Sequence, residues 1–479
     1  MSEANRGVAG RRAAEGSMSE AKRGEPRGIN ERSEARGDPD GMPGGAGRSP
    51  EGSMSEAVRF DGDLPQLATR RRCLPCGLDV VVHADATAPQ VAVSVWYRVG
   101  SSDERADRTG FAHLFEHLFK GPARWLGGHH HYDVLKRAGA ADANASTGPD
   151  RTAYHEIMPS HQLDLALWLE SGRMGYFAEG FDEHRLATQQ SVVRAERRQR
   201  YEVVPYGAER FAIARALYPE GHPHRHLTIG RHDDIQAATV DDVLAFYRTW
   251  YVPANATLVI AGDVPDDVDA AIDRYFGSFP DSRRPLRSTP ALSAVVHGSL
   301  RVADRFAVLG RIHRAWLGPA AFAAHEPELD VLTAAWTAVG TGALWRRLVY
   351  DTQLAQRVSA WTTNGRLGGE VHVAVDLRGG ADPAAVRAIL DEECGCGVDD
   401  RAIVRAVTRR EAGTIWGLTG LSRRVGMLHR YLLYTDQPDG LAADLVRYRA
   451  VTPASIDAAI ARWLTPGRAV EVETTPRDR

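Results

Sequence analysis

Two distant stretches of the chain carry the same punctuation. Thr239 is followed by Trp250 eleven residues on and by Pro253 three later. Thr452 is followed by Trp463 eleven on and by Pro466 three later. Each proline leads into an apolar run, Thr257-Leu-Val-Ile and Ala469-Val-Glu-Val. A helical segment that ends before a proline and gives way to a β-rich run, repeated at one offset, predicts two related halves. They run from about residue 58 to 285 and from 286 to 475, with Pro280-Asp-Ser-Arg-Arg-Pro285 as the linker. Two copies of a β-rich sheet packed with helices give an α+β class, each half holding a mainly antiparallel sheet. Residues 1–57 stand outside this scheme. They hold no Leu and no aromatic residue, and such a segment cannot bury enough apolar area to offset chain entropy. Glu-Gly-Ser-Met-Ser-Glu-Ala occurs there twice, which reads as a low-complexity, disordered leader or as a true start at Met54.

The first half contains Phe111-Ala-His-Leu-Phe-Glu-His-Leu-Phe119. Residues three and four apart share a helix face. His113, Glu116 and His117 therefore point one way, while Phe111, Leu114, Phe115, Leu118 and Phe119 form a stripe for burial. Two imidazoles and a carboxylate on a core helix have the chemistry of a zinc site with its own base. Glu116 lies between the histidines and suits proton transfer better than ligation. A catalytic zinc takes three protein ligands, so one more is needed. Glu196 fits: it follows Val193 and Val192 by three and four residues on a helix that starts near Asp182, a candidate N-cap. The arginines around it, Arg194, Arg197, Arg198 and Arg200, read as a solvated face. In the second half the comparable helix is Glu328–Trp336; it has no histidine pair, so one Zn²⁺ per chain is expected.

Other histidines carry less. Gly127-Gly-His129-His130-His131 reads as a solvated loop, because consecutive residues point in different directions. His222-Pro-His224-Arg-His226 reads as structural. The cysteines, Cys73, Cys76, Cys394 and Cys396, lack the spacing of a metal ribbon, and Cys73-Leu-Pro-Cys76 precedes Gly77 and a strand-like run. The remaining pattern predicts strands at Val80–Val82 and Val91–Val99 joined by a turn, a hairpin over Asn144–Ile157, and helices over His161–Tyr176 and Thr239–Tyr251. A net charge of -3 gives no bulk attraction for nucleic acid or a membrane surface, and no apolar run approaches the ~20 residues of a membrane span. With no apolar leader at the N-terminus, a cytoplasmic location is expected.

The ordered series Trp96–Glu104, Gly110–Gly121, Asn144-Ala-Ser-Thr147, Ala195–Gln199 with Pro205-Tyr-Gly207, and Pro253–Asp263 resembles the pitrilysin and mitochondrial-processing-peptidase family, in its short-chain bacterial branch. His-x-x-Glu-His is the inverted order that marks these zinc peptidases. The resemblance covers about residues 65 to 475. It implies that His113, His117 and Glu196 hold zinc and that Glu116 is the general base. It also implies that a peptide substrate adds as a strand near Asn144, Ala145 and Ser146, inside a chamber made by two chains. Two departures stand out. Gln189 occupies a position where many relatives have a second glutamate, and this should only retune the surroundings of the metal. Family members that grip the substrate carbonyl use an Arg and a Tyr seven apart in the second half. Here those positions are Ala343 and Tyr350. The resemblance then points to the zinc-bearing subunit of a metalloendopeptidase, paired with a homologous metal-free subunit that carries the Arg/Tyr pair. The alternatives are a self-sufficient homodimer and a non-proteolytic scaffold subunit, as in the respiratory-complex core proteins of the family.

Overall fold

The structure is a computed structural model that describes residues 64–121, 123–290 and 298–477. The leader with its repeats and Met54 lies outside the described residues. Eleven strands form two sheets among them. The first contains β1 (Arg70–Cys73), β2 (Asp79–Ala84), β3 (Gln90–Tyr97), β4 (Asp142–Thr147), β5 (Thr152–Pro159) and β6 (Ala256–Gly262), in the order β1-β2-β6-β3-β5-β4. The second contains β7 (Gly298–Asp304), β8 (Arg311–Gly318), β9 (Ala355–Gly365), β10 (Gly368–Leu377) and β11 (Val470–Pro476), in the order β7-β11-β8-β10-β9. Without β1 the two orders coincide. In each sheet one pair is parallel, β2 with β6 and β7 with β11, and the others are antiparallel.

The strands expected at Val80–Val82 and Val91–Val99 are present as β2 and β3, joined by a turn. β2 and β3 do not pair with each other; β6 lies between them. Every residue of β6 is buried, as an apolar strand at the centre of a covered sheet requires. The repeat that predicts two halves is visible in the caps. Thr239 and Thr452 each begin a helix, Val240–Trp250 and Pro453–Trp463. Each closes a capping box, with Asp242 and Ser455 respectively.

Five helices of the first half place the candidate site: α1 (Phe111–Lys120), α2 (His131–Arg137), α3 (Leu163–Tyr176), α4 (Glu183–Arg197) and α5 (Gly207–Leu217). The α5 helix leaves its own half. Ile213, Leu217 and Tyr218 pack against Ala315, Val470 and Val472 of the second sheet. Its counterpart, at the offset that relates Thr239 to Thr452, is the helix Leu421–Thr435, whose N-cap is Gly420. That helix buries Val425, Leu428 and Leu432 against Val81, Ala92 and Val259 of the first sheet. Each half thus lends one helix to cover the other's sheet. Gly207 is needed where α5 turns away: a Cβ there would sit 1.8 Å from the Tyr201 carbonyl oxygen. No helix among the described residues is long and apolar enough to cross a membrane.

Candidate metal centre

The α1 helix is held at its start by a residue outside it. Gly110, the N-cap, has φ 85°, a conformation open to glycine, and offers no side chain to the first turn. Glu104 supplies what is missing. Its carboxylate accepts the Gly110 N–H (2.7 Å) and the Ala112 N–H (2.8 Å), and His226 Nε2 contacts it at 3.0 Å. Negative charge at a helix N-terminus is favourable. The apolar face is locked by aromatic packing: the Phe115 ring centre lies 3.9 Å from that of Tyr251 and 4.7 Å from that of Phe177.

The opposite face carries the three polar residues. α4 runs beside α1, its start fixed by the Asp182 side chain accepting the Arg185 N–H (2.9 Å). Glu196 Oε2 lies 3.1 Å from His117 Nε2 and 3.6 Å from His113 Nε2. Its second oxygen is held by Arg200, one turn on, at 3.0 Å. The His113, His117 and Glu196 donor atoms all lie within 4.8 Å of one another. Ligand atoms ~2.0–2.2 Å from a tetrahedral Zn²⁺ are about 3.3 Å apart, and two nitrogens with one oxygen is a common catalytic donor set. The residues present therefore fit a zinc ion. Burial, with His117 adding to it, pulls the His113 imidazole down to about 4, which leaves it neutral with a lone pair to give. The contact with His117 holds the Glu196 carboxyl at about 2.

Glu116 does not join that triad. Lys120 Nζ reaches its Oε1 and the Thr147 hydroxyl donates to its Oε2, both at 2.7 Å. Burial pushes the Glu116 carboxyl up, but Lys120 and Thr147 outweigh it and leave it below its ordinary range, so it is ionised. Neither partner is picked out by the motif. Lys120 lies four residues after Glu116 and so shares its face; Thr147 is brought by the sheet.

Thr147 ends β4, which is an edge strand. The Gly148 N–H bonds the Arg151 carbonyl (2.9 Å), which sets the phase of the β4–β5 ladder. Asp142, Asn144 and Ser146 then bond β5, and the main-chain groups of Ala143, Ala145 and Thr147 face the open edge. Asn144 Oδ1 accepts the Ala145 N–H (2.8 Å), so its side chain sits on that edge. Tyr350 is elsewhere: it is 68% exposed and stacks on Trp345, and no hydrogen bond joins it to α1 or α4 among the described residues. Ala343 begins the short helix Ala343–Trp345.

Three sequence expectations are corrected nearby. His131 is not in a solvated loop: it opens α2 and is 2% exposed, with Glu156 and Glu170 close by. The Arg173 guanidinium pairs with Glu170 and already occupies the place of a cation there. Arg197 does not splay to solvent; it lies over the Phe211 ring, 4.5 Å from its centre, and pairs with Glu202. Val192 is 43% exposed whereas Val193 is 1% exposed, so only Val193 marks the buried face near Glu196. The second half has its own version of the α1 face. The repeat offset carries His113 onto Glu326 and His117 onto Asp330. Arg430 and Arg447 pair with Glu326 (3.2 and 3.0 Å), and Arg410 pairs with Asp330 (3.1 Å).

The sequence profile described as insulinase (peptidase family M16) matches residues 79–204, which include His113, Glu116, His117 and Glu196. The profile described as peptidase M16 inactive domain matches residues 237–402. The chain belongs to peptidase family M16. A zinc protease of Helicobacter pylori, PqqE, is 35% identical over 234 residues, which is 46% of this chain and 51% of that protein. The match thus spans about half the length of that relative. Among solved structures, a protease from Helicobacter pylori has a TM-score of 0.78 at 23% identity, covering 86% of this chain and all of that one. A chain of Complex III2 from Candida albicans has a TM-score of 0.71 at 13% identity, covering 85% of this chain and 96% of that one. These likenesses establish an M16 fold of two mixed α/β halves.

Proposed function

We propose that the chain is the zinc-bearing subunit of a metalloendopeptidase that hydrolyses peptide bonds in short or unfolded segments. The observation that carries this reading is the convergence of His113, His117 and Glu196 on one point beside an ionised Glu116. Zinc bound there would supply Lewis acidity, polarising a scissile carbonyl and easing loss of a proton from water. The chain's own residues do the rest. Glu116 accepts that proton and returns it to the leaving amine. Thr147 and Lys120 keep the carboxylate in one orientation while it does so. The open edge of β4 pairs with an extended segment through the main-chain groups of Ala143, Ala145 and Thr147, the Asn144 side chain giving up the Ala145 N–H, with Ser146 beside it.

The second half supports a division of labour. Alanine at 343 offers no hydrogen-bond donor for a carbonyl oxygen, and Tyr350 faces solvent. A donor of that kind is typically worth ~3–4 kcal/mol, about a hundredfold to a thousandfold in rate. A homologous partner chain carrying an Arg and a Tyr would restore it. The same observation favours a second reading, a non-proteolytic scaffold subunit. Hydrolysis of an unfolded fluorogenic peptide, by the purified zinc-loaded chain alone and mixed with such a partner, separates the readings. The proposal expects slow turnover alone and at least a hundredfold gain on mixing. Full-rate turnover alone would show that the site is not divided, and no turnover in either case would favour the scaffold.

A further inference from the structure

Among the described residues, Arg151 is a cation with no carboxylate in contact. It sits at the turn between β4 and β5. Its Nη1 donates to the carbonyl and the hydroxyl of Ser146 (2.6 and 2.7 Å). The guanidinium lies 4.7 Å from the centre of the Trp96 ring, and Trp96 stacks on His429. Its side-chain hydrogen bonds among the described residues go to Ser146 and none to a carboxylate, although the side chain is partly buried. Withdrawing a guanidinium from water without an opposite charge is costly, and an aromatic face recovers only part of that cost. Burial accordingly pulls its pKa below the ordinary value, while Tyr434, Glu116 and Asp150 act on it in the opposite sense.

The side chain lines a cavity of about 1030 Å³ between the two halves. The carboxylates on the cavity wall are already engaged. Asp330 meets Arg410 (3.1 Å) and the Tyr448 hydroxyl (2.6 Å); Asp444 meets Arg447 (3.0 Å). Arg430, also on the wall, is paired with Glu326. The cations left without a carboxylate are Arg151 and the exposed Arg423. Trp361, 38% exposed, gives the cavity a flat apolar wall. Its position relative to the edge strand is fixed by Ser146, which holds Arg151 and precedes the Thr147 that holds Glu116.

We propose that this cavity is a subsite for a peptide carboxylate, from an Asp or Glu side chain or from the chain terminus, lying a few residues from the scissile bond. Arg151 recognises the carboxylate through its free guanidinium nitrogen, and Arg423 reinforces the attraction. The aliphatic stem of the acidic residue packs on Trp361. This subsite rests on the peptidase reading above, and its test is arranged so that the two can fail separately.

The experiment is cleavage of a randomised peptide library, amidated or with free C-termini, by the zinc-loaded protein with its partner chain present. Cleavage sites are read by mass spectrometry. At one position near the cleaved bond, Asp and Glu should be enriched about tenfold or more over Asn and Gln, as expected for a charge-assisted contact. The acid-to-amide ratio should fall to near one in Arg151→Gln and be retained in Arg151→Lys. It should fall severalfold in Arg423→Gln, a surface change with no folding risk. Enrichment in the amidated library assigns the carboxylate to a side chain; enrichment only with free termini assigns it to the chain end. Either result supports the subsite. Cleavage without acid preference, or a preference unchanged in Arg151→Gln, overturns the subsite and leaves the peptidase reading intact. No cleavage of any peptide overturns both.

Discussion

Thr147 and Lys120 fix the direction of the Glu116 carboxylate, one from the neighbouring strand and one from the next helical turn. A base that must meet a water and then an amine gains from being held in one orientation. Thr147→Val keeps the shape and removes the hydroxyl donor. Losing one charge-assisted hydrogen bond is worth about 1.5–3 kcal/mol, so kcat should fall roughly tenfold to a hundredfold. Zinc content should not change, and metal analysis beside steady-state kinetics checks both. At this scale much of the site is legible in the sequence, because helical spacing alone places His113, Glu116 and His117 on one face. Glu196 is legible for half of the stated reason: Val193 marks a buried face and Val192 does not. Lys120 could have been found from the i, i+4 rule. Thr147 could not, because its contact with Glu116 depends on how β4 meets α1. Arg197 and His131 mislead in the same way. Each has a partner distant in sequence, Phe211 for one and Glu170 for the other, that turns an apparently solvated residue inward.

At the scale of elements, the α1 helix depends on Glu104. The carboxylate takes two of the orphan N–H groups that Gly110 cannot satisfy, and it is fully enclosed. Glu104→Gln puts an NH₂ where a backbone N–H already points. Stability should fall by about 1–3 kcal/mol, the cost of an unsatisfied buried donor. Zinc affinity should fall with it, because both histidines ride on this helix. Urea denaturation with and without added zinc measures the two effects together. Element positions are legible where they have local causes. The Thr caps, the prolines after Trp250 and Trp463, and the glycine at 121 all mark real ends. The place of β6 between β2 and β3 has no local cause. It depends on a strand that the chain reaches only after the whole helical layer of the first half.

At the scale of the whole molecule, the two halves are bound by exchanged helices rather than by a simple interface. α5 covers the second sheet, and the helix Leu421–Thr435 covers the first. Residues 58–285 produced alone would expose Val81, Ala92, Val259 and Ala261. That fragment should bind a hydrophobic dye and unfold without a sharp transition, and co-expression with residues 286–479 should restore cooperative unfolding. A soluble, cooperatively unfolding fragment would contradict the exchange. The repeat of the Thr, Trp and Pro spacing foretells the twofold plan. It cannot foretell the exchange, because a helix packs equally well on either of two related sheets. The twofold plan also frames the chemistry. The first half sets His113 and His117 beside Glu196, and the second sets Glu326 and Asp330 against arginines. The central claim is that the first-half face does metal-assisted proton transfer through Glu116. The most direct test compares wild type and Glu116→Gln, both analysed for zinc, in hydrolysis of an unfolded peptide, with a homologous chain carrying the Arg/Tyr pair added. Both proteins should hold one zinc per chain, and the variant should lose at least a hundredfold in kcat. Turnover at the wild-type rate by zinc-loaded Glu116→Gln would contradict the claim.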